Sequence, residues 1–201
     1  MARRLDWGSI ESDLAADPEL LRAHLGGDVQ AFARLYDRYD QPSFVFIRRM
    51  LGPGQTAAAE DLHQDTWLAV ARTAASFDAA KAPFRAWLFT IARNKVWDHF
   101  RRQKIVPLAV DPADAAMSIP DPGPSPFEQL ASRELGETLI AAVEALPIEQ
   151  RGAFVMFAQA GLSLEEIAQA TGVTVETAKS RLRYARSKLR QALADERAAH
   201  V

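Results

Sequence analysis

The chain of 201 residues contains no cysteine, which excludes a disulfide framework, a thiolate zinc site and a thiol nucleophile, and fits a reducing compartment. It also lacks any apolar run approaching the roughly 18 residues that a membrane helix needs, so no membrane insertion is expected. The first residues, MARRLDWGSIESD, carry Arg3 and Arg4 with no apolar stretch behind them, and they read as neither a secretory nor a twin-arginine signal. A soluble, cytoplasmic protein is expected. Histidines are few and dispersed, at His24, His63, His99 and His200. His63 with Asp65, and Asp98 with His99, lack a third ligand or a nucleophile at useful spacing. No metal, no cofactor and no catalytic residue is therefore expected, and the chain does not read as an enzyme. GPGQT, from Gly52 to Thr56, lacks the Gly-Lys-Ser/Thr ending of a phosphate loop and reads as a helix stop.

What is present is enough apolar material, 48% of residues, for one ordinary domain or two small ones. Strand-like alternation is missing, and the apolar spacing is helical. Six of the eleven prolines fall between Pro107 and Pro126, together with Asp111, Asp114 and Asp121. Each proline removes a hydrogen-bond donor and fixes φ, so this stretch holds neither helix nor sheet ladder and reads as a flexible linker. The expected fold is all-α, two small helical domains joined by that linker. The expected division is an N-terminal extension over 1–15, a front helical domain over 16–106, the linker over 107–126 and a rear domain over 127–201.

In the front half, PELLRAHLGG reads as a short helix ended by Gly26 and Gly27. Asp28 caps a second helix with Phe32, Leu35, Tyr36 and Tyr39 facing inward and Pro42 expected to bend it. AAAEDLHQDTWLAVARTAASF is the third, and Pro83 opens the fourth, with Phe84, Leu88, Ile91 and Ala92 as its inward stripe. Phe84, Trp87, Phe89 and Phe100 are expected in the core. In the rear half two helices precede a capping box, Ser163 with Glu166, which opens a short helix. Gly172 and Val173 then turn the chain and Thr174 caps a long basic helix. A short helix, a glycine-containing turn and a second helix are the grammar of a helix-turn-helix.

The formal net charge is −2, yet six basic residues and no acid lie from Lys179 to Arg190. On that last helix Val175, Ala178, Leu182, Ala185 and Leu189 form the expected buried stripe. Lys179, Arg183, Arg186 and Arg190, at steps of four, three and four, stack on one exposed side. A helix presented by such a turn enters the major groove. Thr177, Lys179 and Ser180, in its first turns, are placed to meet base edges, while Arg183, Arg186 and Arg190 are placed to meet phosphates.

GDVQAFARLYDRY, AEDLHQDTWLAV, SFDAAKAPFRAWLFTIARNKVWDHFRR and LSLEEIAQATGVTVETAKSRLRYARSKLR, in this order, resemble the extracytoplasmic-function (ECF) sigma factors of bacterial RNA polymerase. The resemblance spans about Asp17 to Leu193 apart from the linker. It implies an alternative sigma factor: a region 2 domain that binds polymerase core and the promoter −10 element, and a region 4 helix-turn-helix that binds the −35 element. The implied partners are the core, through its β′ clamp helices and β flap, promoter DNA and an anti-sigma factor. Glu60, Asp61, Gln64, Asp65 and Trp67 match the docking surface for the clamp helices, with Ala58 where the family usually has an acid. Arg93, Asn94, Lys95, Trp97, Asp98, Arg101 and Arg102 fall on the −10 reader. The loop from Ser76 to Pro83 resembles the one that pockets a flipped base, and Trp97 stands where the family tends to carry a smaller aliphatic. Arg181 and Tyr184 join the −35 set, Tyr184 standing where the family often has arginine.

Aromatic faces stack unpaired bases for about 1 to 3 kcal/mol each while cations hold the backbone, which is chemistry suited to strand capture by the fourth helix. The linker's reach is compatible with a promoter. About 20 residues at about 3.1 Å each extend to roughly 60 Å, and about 17 base pairs at about 3.4 Å span roughly 58 Å. The rival reading is a stand-alone helix-turn-helix regulator with an N-terminal ligand or dimerisation domain, which predicts operator binding without polymerase. A pure protein-interaction module would leave the basic stripe without a task.

Overall fold

The computed structural model describes residues 16–103 and 133–199; the extension over 1–15 and the linker over 107–126 lie outside the described residues. Among the described residues there are eight α-helices and no strand, as the helical spacing leads one to expect. No helix among them is long and apolar enough to cross a membrane.

Helix α1, Asp17–Leu25, is tied to the second helix through a buried carboxylate. Asp17 is 1% exposed and accepts hydrogen bonds from the Arg38 guanidinium and the Tyr39 hydroxyl. A carboxylate taken out of water is costly unless it is paired in this way. Burial and the adjoining Asp17 charge in turn push the Tyr39 phenol upward.

Helix α2, Val29–Leu51, begins where Asp28 Oδ1 accepts from the Gln30 and Ala31 amides at 2.9 and 3.2 Å. It runs unbroken through Pro42 and stops at Gly52. Its buried stripe is Ala31, Leu35, Tyr39, Ser43, Phe46, Ile47 and Met50. Tyr36, expected inward, is 38% exposed, because one step of about 100° from Leu35 carries it to the shoulder of that stripe.

Helix α3 spans Thr56–Thr73, followed by a 3₁₀ turn at Ala74–Ser76, and α4 spans Phe84–Arg102. Phe46 of α2 meets Phe89 of α4 edge-on at 5.4 Å, and both are fully buried. Each such side chain contributes about 1.5 to 3 kcal/mol of burial. Phe84, Phe89 and Phe100 lie in the core as expected, whereas Trp87 is only partly buried against Phe77 and Phe84.

In the rear half, α5 is Arg133–Glu144, α6 is Ile148–Ala160, α7 is Leu164–Thr171 and α8 is Val175–Ala199. Ser163 Oγ accepts from the Glu166 amide at 3.2 Å and Glu166 Oε2 accepts from the Ser163 amide at 2.7 Å, so both halves of the capping box are made. Gly172 turns the chain between α7 and α8 at φ +69°, a left-handed conformation that a side chain would strain. Thr174 Oγ1 then accepts from the Thr177 amide at 3.2 Å and starts α8.

Ala178, Leu182, Ala185 and Leu189 are buried as the α8 stripe predicts. Val175 is the exception, at 42% exposed. It is the first residue of the helix, and its side chain points back past the N-terminal end, off the packed surface. The two halves pack directly on one another: α2 lies against α5 and α6, and α4 lies against α6 and α7.

Candidate nucleic-acid and polymerase interfaces

The helix-turn-helix sets the first candidate surface. With its apolar stripe buried, α8 leaves Lys179 and Arg190 exposed and Thr177, Ser180, Arg183, Tyr184 and Arg186 half-buried. Lys179 Nζ lies 3.8 Å from Glu176 one turn back, a solvent-screened pair that gives way readily to a stronger anion. The Arg183 guanidinium sits 5.5 Å from the Tyr184 ring and that of Arg186 lies 4.7 Å over Phe157 of α6. Arg183 and Arg186 are thus half-buried, where their spacing with Lys179 and Arg190 leads one to expect a fully exposed side. Arg181 is placed differently. It is 6% exposed and its Nη1 is 3.6 Å from Glu149 Oε2 on α6, so in this arrangement it faces protein.

The second surface is α4. Asn94, Asp98, Arg101 and Arg102 are exposed, and Arg93, Lys95 and Trp97 are half-buried. The Arg93 guanidinium lies 4.5 Å from the Trp97 ring centroid, and its Nη1 donates to Asn94 Oδ1 at 3.3 Å. Burial lowers the Arg93 pKa from its usual value, with Glu149 opposing the shift. Arg101 pairs with Asp98 one turn back. The structure therefore joins cation, indole and amide on one helix, which suits a base held between stacking and polar contacts.

Beside it lies a cavity of about 210 Å³ lined by Ser76, Phe77, Asp78, Lys81, Trp87 and Thr90, among others. The 76–83 loop forms one wall. Asp78 accepts from the Ala80 amide at 3.0 Å and pairs with Lys81 at 3.3 Å. Those bonds hold its carboxyl below the ordinary range. The sequence pattern places Trp87 in the core; its ring instead borders this cavity. The signal was its offset from the Phe84 and Leu88 stripe by a single helical step.

The third surface is the outer face of α3. Glu60, Asp61, Gln64 and Asp65 are exposed on it, with Leu68 beside them at 52%. The sequence motifs do not single out Leu68, although an apolar residue seven positions after Asp61 shares its face. Lys95 Nζ of α4 is 3.9 Å from Asp65 Oδ2. Trp67 lies beneath this face, 5% exposed, packed on Phe32 and Tyr36. Its Nε1 donates to His63 Nε2 at 3.1 Å.

Comparison with known proteins matches this arrangement in both halves. The family models Sigma-70 region 2 and Sigma-70, region 4 cover residues 35–105 and 136–189, so the architecture is that of a sigma-70 type protein. Over 180 residues the chain is 34% identical to the ECF RNA polymerase sigma factor SigM of Mycobacterium tuberculosis, covering 89% of this chain and 85% of that one. It is 33% identical over 166 residues to the ECF RNA polymerase sigma factor BldN of Streptomyces coelicolor, covering 82% of this chain and 61% of BldN. A solved structure, the sigma factor RpoE in complex with the anti-sigma factor NepR from Bartonella quintana, superposes with a TM-score of 0.60 at 25% identity, covering 83% of this chain and 98% of RpoE. The chain belongs to the ECF RNA polymerase sigma factors.

Proposed function

We propose that this chain is a non-enzymatic initiation factor of the cytoplasm that binds RNA polymerase core, directs it to specific promoters and helps melt them. The observation that carries the reading is the presence, in one chain, of an exposed acidic helix face on α3 and a basic helix-turn-helix on α8. Glu60, Asp61, Gln64 and Asp65, with Leu68, dock the β′ clamp helices, and Trp67 holds that face in shape from below. Arg93, Asn94, Lys95, Trp97, Asp98, Arg101 and Arg102 read the −10 element. Base-stacking by an aromatic is sequence-tolerant, so discrimination there falls to the polar groups around it and to the shape of the 76–83 loop.

On α8, Thr177, Lys179 and Ser180 meet −35 base edges. Arg183, Tyr184, Arg186 and Arg190 hold the phosphates on either side, with Arg181 joining them once it leaves Glu149. An anti-sigma factor is a fitting regulator, since the similar RpoE was solved bound to one. The domain division at 16–106 and 127–201 assigns core and −10 work to the front and −35 work to the rear.

The test is run-off transcription by purified core polymerase with and without the chain, on promoters selected from a random library. Initiation that depends on the chain and on both elements is the expected result. Tight binding to palindromic duplexes as a dimer, with no effect on core, would instead establish a stand-alone regulator.

A further inference from the structure

Of the histidines among the described residues, only His63 is buried, at 7% exposed. One of its atoms, Nε2, meets three partners of two kinds. Trp67 Nε1, one turn along α3, lies 3.1 Å away and can only donate. On the α2 side stand Ser43 Oγ at 3.0 Å and Asp40 Oδ1 at 3.5 Å. The Ser43 hydroxyl donates to the Asp40 carbonyl at 3.0 Å, which leaves its oxygen as an acceptor, and the Asp40 carboxylate can only accept.

An unprotonated Nε2 therefore serves Trp67, a protonated one serves Ser43 and Asp40, and it cannot serve both sides at once. When Nε2 carries a proton, the Trp67 indole faces another donor. Trp67 is 5% exposed, and a buried donor left without an acceptor is disfavoured, so the indole has to shift.

That shift bears on the docking face. Trp67 follows Glu60 and Gln64 along α3 at steps of four and three, so the three share one flank, and its ring rests on Phe32 and Tyr36 of α2 at 5.9 and 4.9 Å. The Tyr36 hydroxyl in turn bonds to Asp40, the main cause that pushes its phenol upward. Asp40 is thus shared between Tyr36 and His63. The other titratable groups brought to this part of α3 are Asp37 near Tyr36, Glu60 and Asp65 on α3 itself, Lys95 of α4, 3.9 Å from Asp65, and His24 of α1, stacked on Phe32 at 4.6 Å. Burial holds the imidazole toward its neutral form, and Asp40 is the charge that opposes it.

We propose that His63 is a positioning residue for polymerase docking: through Trp67 it holds the face of Glu60, Gln64 and Asp65 in its docking form while Nε2 is unprotonated, and acidification turns it to Ser43 and Asp40, so that core binding weakens at low pH. Protons and core then compete for the chain. Apparent affinity falls with the fraction that is docking-competent, so a chain neutral at His63 one time in three binds about threefold more weakly.

The proposal rests on the docking reading of α3, and its test separates the two. Binding of the full chain to purified core polymerase is measured from about pH 7.5 to about pH 5.5, with His63→Gln taken through the same series. Core titrates identically against both, so the ratio of the two affinities isolates His63. The wild type is expected to lose about threefold relative to His63→Gln across the series. Asp40→Asn, at a side chain 40% exposed and so mild for folding, removes the carboxylate that favours the imidazolium and is expected to move the wild-type profile to lower pH. In the free chain the Trp67 indole proton resonance, assigned by its loss in Trp67→Phe, is expected to move upfield as its acceptor is protonated and to stay fixed in His63→Gln.

Circular dichroism over the same range confirms the folding of each protein. Superimposed profiles for wild type and His63→Gln overturn the proposal. So does an unmoved profile in Asp40→Asn, or a Trp67 resonance indifferent to pH. If Asp61→Arg binds core as well as the wild type at about pH 7.5, the assignment of α3 to docking is what falls, and the role of His63 with it.

Discussion

Trp67 Nε1 donates to His63 Nε2 at 3.1 Å, and the Ser43 hydroxyl lies 3.0 Å from the same nitrogen. A nitrogen that accepts the indole proton cannot carry one, so His63 is neutral beneath the docking face. Burial lowers its pKa, with Asp40 opposing at 3.5 Å. The unfolded chain therefore binds a proton that the folded chain refuses. Stability contributed by neutral His63 is present above about pH 6.5 and is lost as the pH falls through that value toward the lower folded one. Urea midpoints at pH 7.5 and 5.5 are expected to differ in the wild type and to converge in His63→Gln, which keeps an acceptor but cannot titrate.

Asp61 is exposed on α3. Asp61→Arg is expected to weaken binding to core about tenfold, equivalent to about 1.4 kcal/mol, with helical content unchanged. Competition for core against the wild-type chain reads the effect. Normal competition by the variant would move docking off this face.

Trp97→Ala removes a stacking surface worth about 1 to 3 kcal/mol per base. In holoenzyme it is expected to slow open-complex formation, read by permanganate reactivity of the melted strand, while closed-complex binding changes little. Thermal unfolding of the variant distinguishes lost capture from lost packing, since a domain that melts early would make Trp97 a core residue only.

Lys179 and Arg186 differ in position along α8, and their substitutions are expected to differ in kind. A phosphate contact adds affinity without sequence information, and each one lost lowers the salt slope by about one unit. Arg186→Ala is expected to weaken holoenzyme binding evenly across a panel of −35 variants and to flatten the salt dependence. Lys179→Ala is expected to reorder the panel, because a good base contact carries about 1 to 3 kcal/mol of discrimination. Unchanged order and slope in both would leave the basic stripe as a solvated face.

The helix-turn-helix was legible because its signals are local. A capping box three residues wide, a glycine turn and a 3.6-residue stripe each act within one or two turns of chain, and Ser163, Glu166, Gly172 and Thr174 all hold the posts their spacing suggests. Residues at the ends and shoulders of a stripe were not legible. Val175 and Tyr36 fit an apolar pattern, but what covers them depends on where the neighbouring helix stops. Least visible was the seam between the halves. Arg85 with Glu166, Arg49 with Glu144 and Arg151 with Met50 are separated by 81, 95 and 101 residues, and no periodicity links positions so far apart. The same distance hid Arg181, which sits in the basic run by spacing and against Glu149 in space.

The meeting of Trp97 with Gly152 ties two distant positions into one inheritance. Alanine at 152 would be accommodated at 3.5 Å from the indole, but any longer side chain meets both Trp97 and Met50. A bulky tryptophan in the front half is thus compatible with this seam only beside a near-vacant site in the rear. Chimaeras that graft the rear half of a relative with a larger residue at this place onto this front half would not close as the parent does. Shortening Trp97 to an aliphatic residue in the same graft would let them close again.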